Sequence, residues 1–170
     1  MSREIQPLSV RHDRKSFECG KPWLDNYIRQ HALRNQEAGY GRTYVAVPTD
    51  APATGDGYYT LSMGSVAFAH LPDELAARAP KYPMPVAHMG CLAVRTGLQG
   101  QGLGRLLLID ALRRVLAAAD IIAARAVEVK AIDEPARDWY AAYGFLPFRD
   151  APLHLYLPMQ TVRALAQAAQ

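Results

Sequence analysis

Leu92-Ala-Val-Arg-Thr-Gly-Leu-Gln-Gly-Gln-Gly-Leu-Gly104 carries a short apolar run into a glycine-rich turn, and the turn opens directly into the Leu- and Arg-bearing segment from Arg105 to Ala119. The pattern is that of a strand, a tight turn and a helix. Gly100, Gly102 and Gly104 let the backbone curl and approach a ligand with no Cβ in the way. The first amides of the helix have no intrahelical acceptors and lie at the positive end of its dipole, where they can hold a phosphate or pyrophosphate. A phosphorylated cofactor is the expectation.

The spacing of the glycines narrows the choice. A dinucleotide fingerprint, Gly-x-Gly-x-x-Gly, fails in both registers: counted from Gly100 its third glycine falls on Arg105, and from Gly102 on Leu107. The Gly-Lys-Ser/Thr of a P-loop is absent as well. Gln99-x-x-Gly102-x-Gly104 after Leu92-Ala-Val94 does resemble the acetyl-CoA pyrophosphate loop of the GNAT acetyltransferases.

The chain of 170 residues, 50% hydrophobic and 21% charged, suits one globular domain spanning 1–170. No signal-peptide core follows Met1-Ser-Arg-Glu, and the apolar stretch from Val115 to Ala124 is broken by Asp120 and too short to span a bilayer. No membrane association is expected. Cys19 and Cys91 are the only cysteines and show no metal spacing. The five histidines form no His-Glu-x-x-His, and Ser62 and Ser65 lack the flanking glycines of a nucleophile elbow. The expectation is a cytoplasmic protein without a metal. Of its 19 basic residues most are Arg, which favours bidentate phosphate contacts, although the net charge is only +3.

Strands and helices alternate along the chain. Ile5 to Leu8 reads as a strand. Lys21 to Ala38 reads as an amphipathic helix ending near Gly39, with Leu24, Tyr27, Ile28, His31 and Asn35 inward and Arg29 and Arg34 off the apolar face. Thr43 to Val47 and Tyr58 to Met63 predict an antiparallel pair around a long turn. The proline-rich stretch from Leu71 to Pro85 predicts a loop with one helical turn at Asp73 to Arg78, and Val86 to Val94 a strand. The helix from Leu103 to Ala119 is expected almost wholly buried, with Asp110, Arg113 and Arg114 as its polar cluster. Ala126 to Ala131 alternates Val127 and Val129 with Glu128 and Lys130, as a strand with one apolar face does. Pro135 suits the first turn of a helix to Tyr143, terminated by Gly144. Leu153 to Leu157 closes the sheet, and a helical tail begins at Gln160. The order is that of a mixed α/β domain.

The resemblance extends past the loop. Phe17-Glu-Cys-Gly, Trp23-Leu-Asp-Asn-Tyr, Gly41-Arg-Thr-Tyr-Val, Gly57-Tyr-Tyr-Thr-Leu-Ser and Ala136-Arg-Asp-Trp-Tyr-Ala-Ala-Tyr-Gly-Phe145 resemble, in order, the GNAT-fold toxins of type II toxin–antitoxin systems. The likeness covers about Phe17 to Pro158. It implies a mixed sheet of about six to seven strands with splayed central strands, flanked by helices. It also implies transfer of acetyl from acetyl-CoA to the α-amino group of aminoacyl-tRNA, a ribbon-helix-helix antitoxin as partner, and a homodimer whose arginines, Arg29 and Arg34 among them, grip tRNA. Two positions depart from the toxin pattern: Cys91 stands where many of these toxins carry Arg, and Arg95 where they carry an acid. Cys91 is expected to be a buried thiol without chemistry.

By the same resemblance Tyr140 is the catalytic residue, reaching the cofactor sulfur. When an amine attacks the thioester, the tetrahedral intermediate expels CoA thiolate, and a nearby phenol, protonated at neutral pH with a free pKa of about 10, supplies the proton. Backbone groups of Leu92 and Val94, with Ala93 between them, are implied to bond the pantetheine arm as an added strand would. Gln99, Gly100, Gln101, Gly102, Leu103, Gly104 and Arg105 are implied to cradle the pyrophosphate, with an amide free to polarise the thioester carbonyl. No carboxylate lies on the strand from Val86 to Val94, which offers only His88; Glu128 is the nearest acid by chain order. A lysine acceptor would cost about 4.6 kcal/mol to deprotonate at pH 7, an α-amine only about 1 kcal/mol. The missing base thus favours aminoacyl-tRNA over lysine. A protein N-terminus, a small amine, or CoA binding without catalysis are the alternatives.

Overall fold

The computed structural model describes residues 2–169. Its strands are β1 (Arg3–Pro7), β2 (Arg42–Pro48), β3 (Gly57–Val66), β4 (Met84–Val94), β5 (Ala126–Lys130), β6 (Leu146–Pro147) and β7 (His154–Pro158), forming one sheet in the order β1-β2-β3-β4-β5-β7-β6. The helices are α1 (Pro22–Asn26), α2 (Ala32–Glu37), α3 (Asp73–Ala76), α4 (Leu103–Ala119), α5 (Glu134–Ala141) and α6 (Met159–Ala168). Neighbouring strands run antiparallel at β1/β2, β2/β3, β5/β7 and β6/β7, and parallel at β4/β5. The parallel register runs from Val86↔Ala126 to Met89↔Val129, and β4 continues beyond it through Gly90–Val94. The chain groups into two compact units, one of residues up to Ser62 with Gly90–Ala111, the other of Met63–Met89 with Leu112 onward.

In the first unit the core gathers Leu8, Phe17, Leu24, Ile28, Val45, Val47 and Tyr58 with Cys91 and Ala93. The expected helix from Lys21 to Ala38 is interrupted: between α1 and α2 lies a π-helical turn, Tyr27–His31. A π turn inserts one extra residue into the helical repeat, so every residue after it is rotated. Ala32 rather than His31 is buried, and His31 is exposed. Gly39, at φ +83°, ends the segment as expected. Gly57 fits where little else would: a Cβ there would stand 2.8 Å from both the Ala93 carbonyl oxygen and Leu107 Cδ1.

In the second unit Val66, Leu71, Met84, Val86, Ala126, Phe148 and Tyr156 pack together. The proline-rich stretch carries α3 and yields early to β4, which begins at Met84. β5 is buried on both faces except at Lys130: Val127 and Val129 share the expected apolar face, and Glu128, opposite them, is buried as well. α4 is less enclosed than expected. Leu106, Arg113, Ala117 and Ala118 are exposed, and Asp110 accepts a hydrogen bond from the buried Tyr59 hydroxyl. Among the described residues no helix is long and apolar enough to cross a membrane.

Gly57→Ala should lower the free energy of unfolding by about 1–3 kcal/mol, because a Cβ must displace backbone as well as a leucine methyl. Urea denaturation of the two proteins checks it.

Candidate acetyl-CoA loop and catalytic tyrosine

Leu92 to Arg105 run without interruption through the first unit. On the last stretch of β4 the side chains alternate: Ala93 is buried, while Leu92 and Val94 are half-exposed. Past the strand the backbone turns through Gly97, Gly100 and Gly102, at φ of +90°, +75° and +88°. Gly104 lies inside α4 without a positive φ, so it serves the helix start rather than the turn. A Cβ on Gly100 or Gly102 would meet nothing within 4 Å, which leaves open space over the loop. The first intrahelical donor is Leu106, whose amide reaches the Gly102 carbonyl at 3.1 Å. The amides of Leu103, Gly104 and Arg105 precede it and lie at the positive end of a 17-residue helix. Leu103 anchors that end in the core, and Arg105 is exposed beside it.

Two predicted ligand residues serve the loop itself. Gln99 Nε2 donates to the carbonyls of Cys19 at 2.8 Å and Val94 at 2.9 Å, and Gln101 Nε2 donates to Gly97 O at 3.1 Å. Their side chains brace the turn, so what they offer a ligand is main chain.

The motifs near the N-terminus form the seat of this loop. Asp25, buried, accepts the Cys19 amide at 2.8 Å, and the Tyr58 hydroxyl donates to Leu24 O at 2.6 Å. The Thr96 amide reaches Glu18 O at 2.8 Å. Arg95 supplies the remaining ties, donating to Gly55 O at 2.8 Å and Ser16 O at 3.0 Å with its guanidinium 5.5 Å from the Phe17 ring centroid. An acid at this position could make none of these donor contacts. Cys91 is a buried thiol held up to about 11 by burial, so it is inert at neutral pH. Arg29 is likewise engaged, its Nε donating to Phe17 O at 2.9 Å.

Tyr140 belongs to the second unit. Asp133 caps α5 by accepting the Ala136 amide at 2.9 Å, and Pro135 occupies the first turn. Tyr140 is buried on the last turn, its ring 5.1 Å from both Trp139 and Phe145. Gly144, at φ +100°, turns the chain after it. Trp139 also contacts Tyr143, which is half-buried and packs.

Glu128 is no free base. His88 Nδ1 lies 2.7 Å from one carboxylate oxygen and His154 Nε2 2.5 Å from the other, while His154 Nδ1 meets Asp150 at 2.9 Å. Burial pushes the Glu128 carboxyl up, yet the hydrogen bonds and charge of the two histidines outweigh it and hold the group below its ordinary value. Sequence reasoning missed this network because its members are scattered from residue 88 to residue 154. Among the described residues no cluster of three or more His, Cys, Asp or Glu could hold a metal ion.

Residues 17–145 match the Acetyltransferase (GNAT) family, and the chain belongs to it. More particularly, it is 40% identical over 158 residues to the tRNA-acetylating toxin of Mycobacterium tuberculosis (strain ATCC 25618 / H37Rv), covering 93% of each chain, which puts it in the toxin branch. Its fold matches that of AtaT complexed with acetyl-methionyl-tRNAfMet with a TM-score of 0.88 at 26% identity, over 96% of this chain and 99% of the other. It matches a Tyr-to-Phe mutant of the AtaT toxin, bound to the C-terminus of the antitoxin AtaR and acetyl-CoA, with a TM-score of 0.82 at 25% identity, over 98% and 99%.

Glu128→Gln should cost about 1–3 kcal/mol at neutral pH, since it replaces a buried, doubly bonded carboxylate by an amide. A carboxyl held low in the folded state stabilises it above the unfolded value near 4.5, and that stability is lost as pH falls through the lower folded value. The wild type's advantage over the variant in urea titrations should persist at pH 5 and shrink below about 4.5.

Proposed function

We propose that residues 1–170 act as one acetyl-CoA-dependent N-acetyltransferase domain, a toxin that acetylates the α-amino group of aminoacyl-tRNA and so blocks translation. The 40% identity to a tRNA-acetylating toxin across 93% of both chains carries the acceptor. The open, amide-lined loop supports the donor: it offers a pyrophosphate unencumbered backbone and a helix N-terminus. Main-chain groups of Leu92 and Val94 hold the pantetheine arm, Gly100 to Arg105 hold the pyrophosphate, and the exposed Arg105 adds a charge-assisted contact.

In the reaction, the acceptor nitrogen bonds to the thioester carbon and loses its proton to water, the oxyanion collapses, and the carbon–sulfur bond breaks. The Tyr140 hydroxyl gives its proton to the departing thiolate. No protein base is needed. An α-amine is far closer to neutral at pH 7 than a lysine, and Glu128, the nearest acid by chain order, is committed to two histidines. In the cytoplasm, where charged tRNA is found, the toxin forms a homodimer and is restrained by an antitoxin carrying a ribbon-helix-helix DNA-binding domain. AtaT, which binds the antitoxin AtaR, is the precedent among its structural relatives.

Purified protein added to a cell-free translation reaction should stop synthesis when acetyl-CoA is present and spare it when acetyl-CoA is withheld. Tyr140→Phe should lower kcat for charged tRNA by about 10²-fold or more with little change in KM for acetyl-CoA, measured by initial rates of acetyl transfer. An unchanged kcat would leave Tyr140 as packing alone.

A further inference from the structure

The first unit carries an aromatic surface that its fold does not use. Trp23, on α1, is 58% exposed, an unusual setting for the largest apolar side chain. It is not loose. Its ring stacks on Tyr27 with centroids 6.0 Å apart and planes 22° from parallel, and Tyr27 continues to His31 at 6.4 Å. Tyr27 is packed against the core, and the Asn35 amide lies 3.5 Å from its hydroxyl, so the stack has a fixed base and an open top. Tyr27 and His31, four residues apart, keep the second and third rings on one side of the segment.

The surroundings select the occupant. On the segment from Lys21 to Arg42 the exposed charges are Lys21, Arg29, Arg34 and Arg42 against Glu37, because Asp25 is buried on the Cys19 amide. A flat aromatic face amid cations suits an unpaired base of a polyanionic strand, which stacks through its π-face whatever its identity. The platform is also coupled to the cofactor loop. The Asp25 carboxylate of α1 holds the Cys19 amide, and the Cys19 carbonyl holds the Gln99 side chain, so two hydrogen bonds join them.

We propose that the Trp23 and Tyr27 rings stack an unpaired nucleotide at the 3′ end of the substrate tRNA, holding the strand that bears the reacting amino acid. The inference rests on aminoacyl-tRNA being the acceptor. Stacking of one base corresponds to an affinity difference of about 10-fold.

The test uses uncharged tRNA, intact or trimmed of its unpaired 3′ nucleotides, with equilibrium binding measured for wild type, Trp23→Ala and Trp23→Phe, and KM measured with charged tRNA. Wild type should bind intact tRNA about 10-fold more tightly than trimmed tRNA, Trp23→Ala should lose that preference and raise KM for charged tRNA by a similar factor, and Trp23→Phe should keep most of both. KM for acetyl-CoA should stay unchanged in all three. A Trp23→Ala protein that retains the preference, or a wild type that shows none, overturns the platform. Failure of wild type to acetylate charged tRNA at all would instead overturn the acceptor on which the platform rests.

Discussion

The clamp between the glycine loop and the turn at Ser16–Cys19 is the interaction on which the proposed cofactor site depends. Glycines that permit φ near +80° also permit many other shapes, so an unsupported loop of this composition would be mobile. Three ties remove that freedom: Arg95 to Ser16 O, the Thr96 amide to Glu18 O, and Gln99 to Cys19 O. Each uses a backbone carbonyl of the same four-residue turn. The turn is held in its place by Asp25 on the Cys19 amide and by Phe17 in the core. The cost of ordering the loop is therefore met during folding, and its outward amides are preorganised for an anion.

This clamp gives the N-terminal motifs a structural part in the loop. Phe17, Cys19, Gly20, Asp25 and Tyr58 each help to fix either the turn or α1 beside it. Arg95 is the informative departure. With a guanidinium reaching Gly55 O and Ser16 O, the chain stitches three segments with one side chain where an acid would need a different set of partners. Cys91, on β4, joins the apolar core of the first unit.

The loop, α5 with its first-turn proline and its terminator, and the β2/β3 pair were legible because each is written in local chemistry: glycine in a tight turn, proline at a helix start, runs of β-branched and aromatic residues. The π turn was not. Its single extra residue leaves no compositional mark, and it moved burial from His31 to Ala32. The burial of Glu128 was not legible because alternation reports which residues are polar, not whether histidines from distant positions will cover them. Gln99 and Gln101 were placed on the ligand by position in the motif, whereas their side chains turn back onto carbonyls of the protein. The two-residue β6 is too short to produce a period at all. Tyr140 owed its assignment to resemblance, since an aromatic at helical spacing looks the same whether it packs or reacts.

The central claim is the position of the transferred acetyl group. Aminoacyl-tRNA treated with the protein and acetyl-CoA can be digested with nuclease and the terminal adenosine ester identified by mass spectrometry. The account predicts an N-acetyl-aminoacyl adenosine, heavier by one acetyl than the ester from untreated tRNA, and none when acetyl-CoA is omitted. An unmodified ester, alongside acetyl recovered on a peptide N-terminus or a small amine offered in the same reaction, would contradict it.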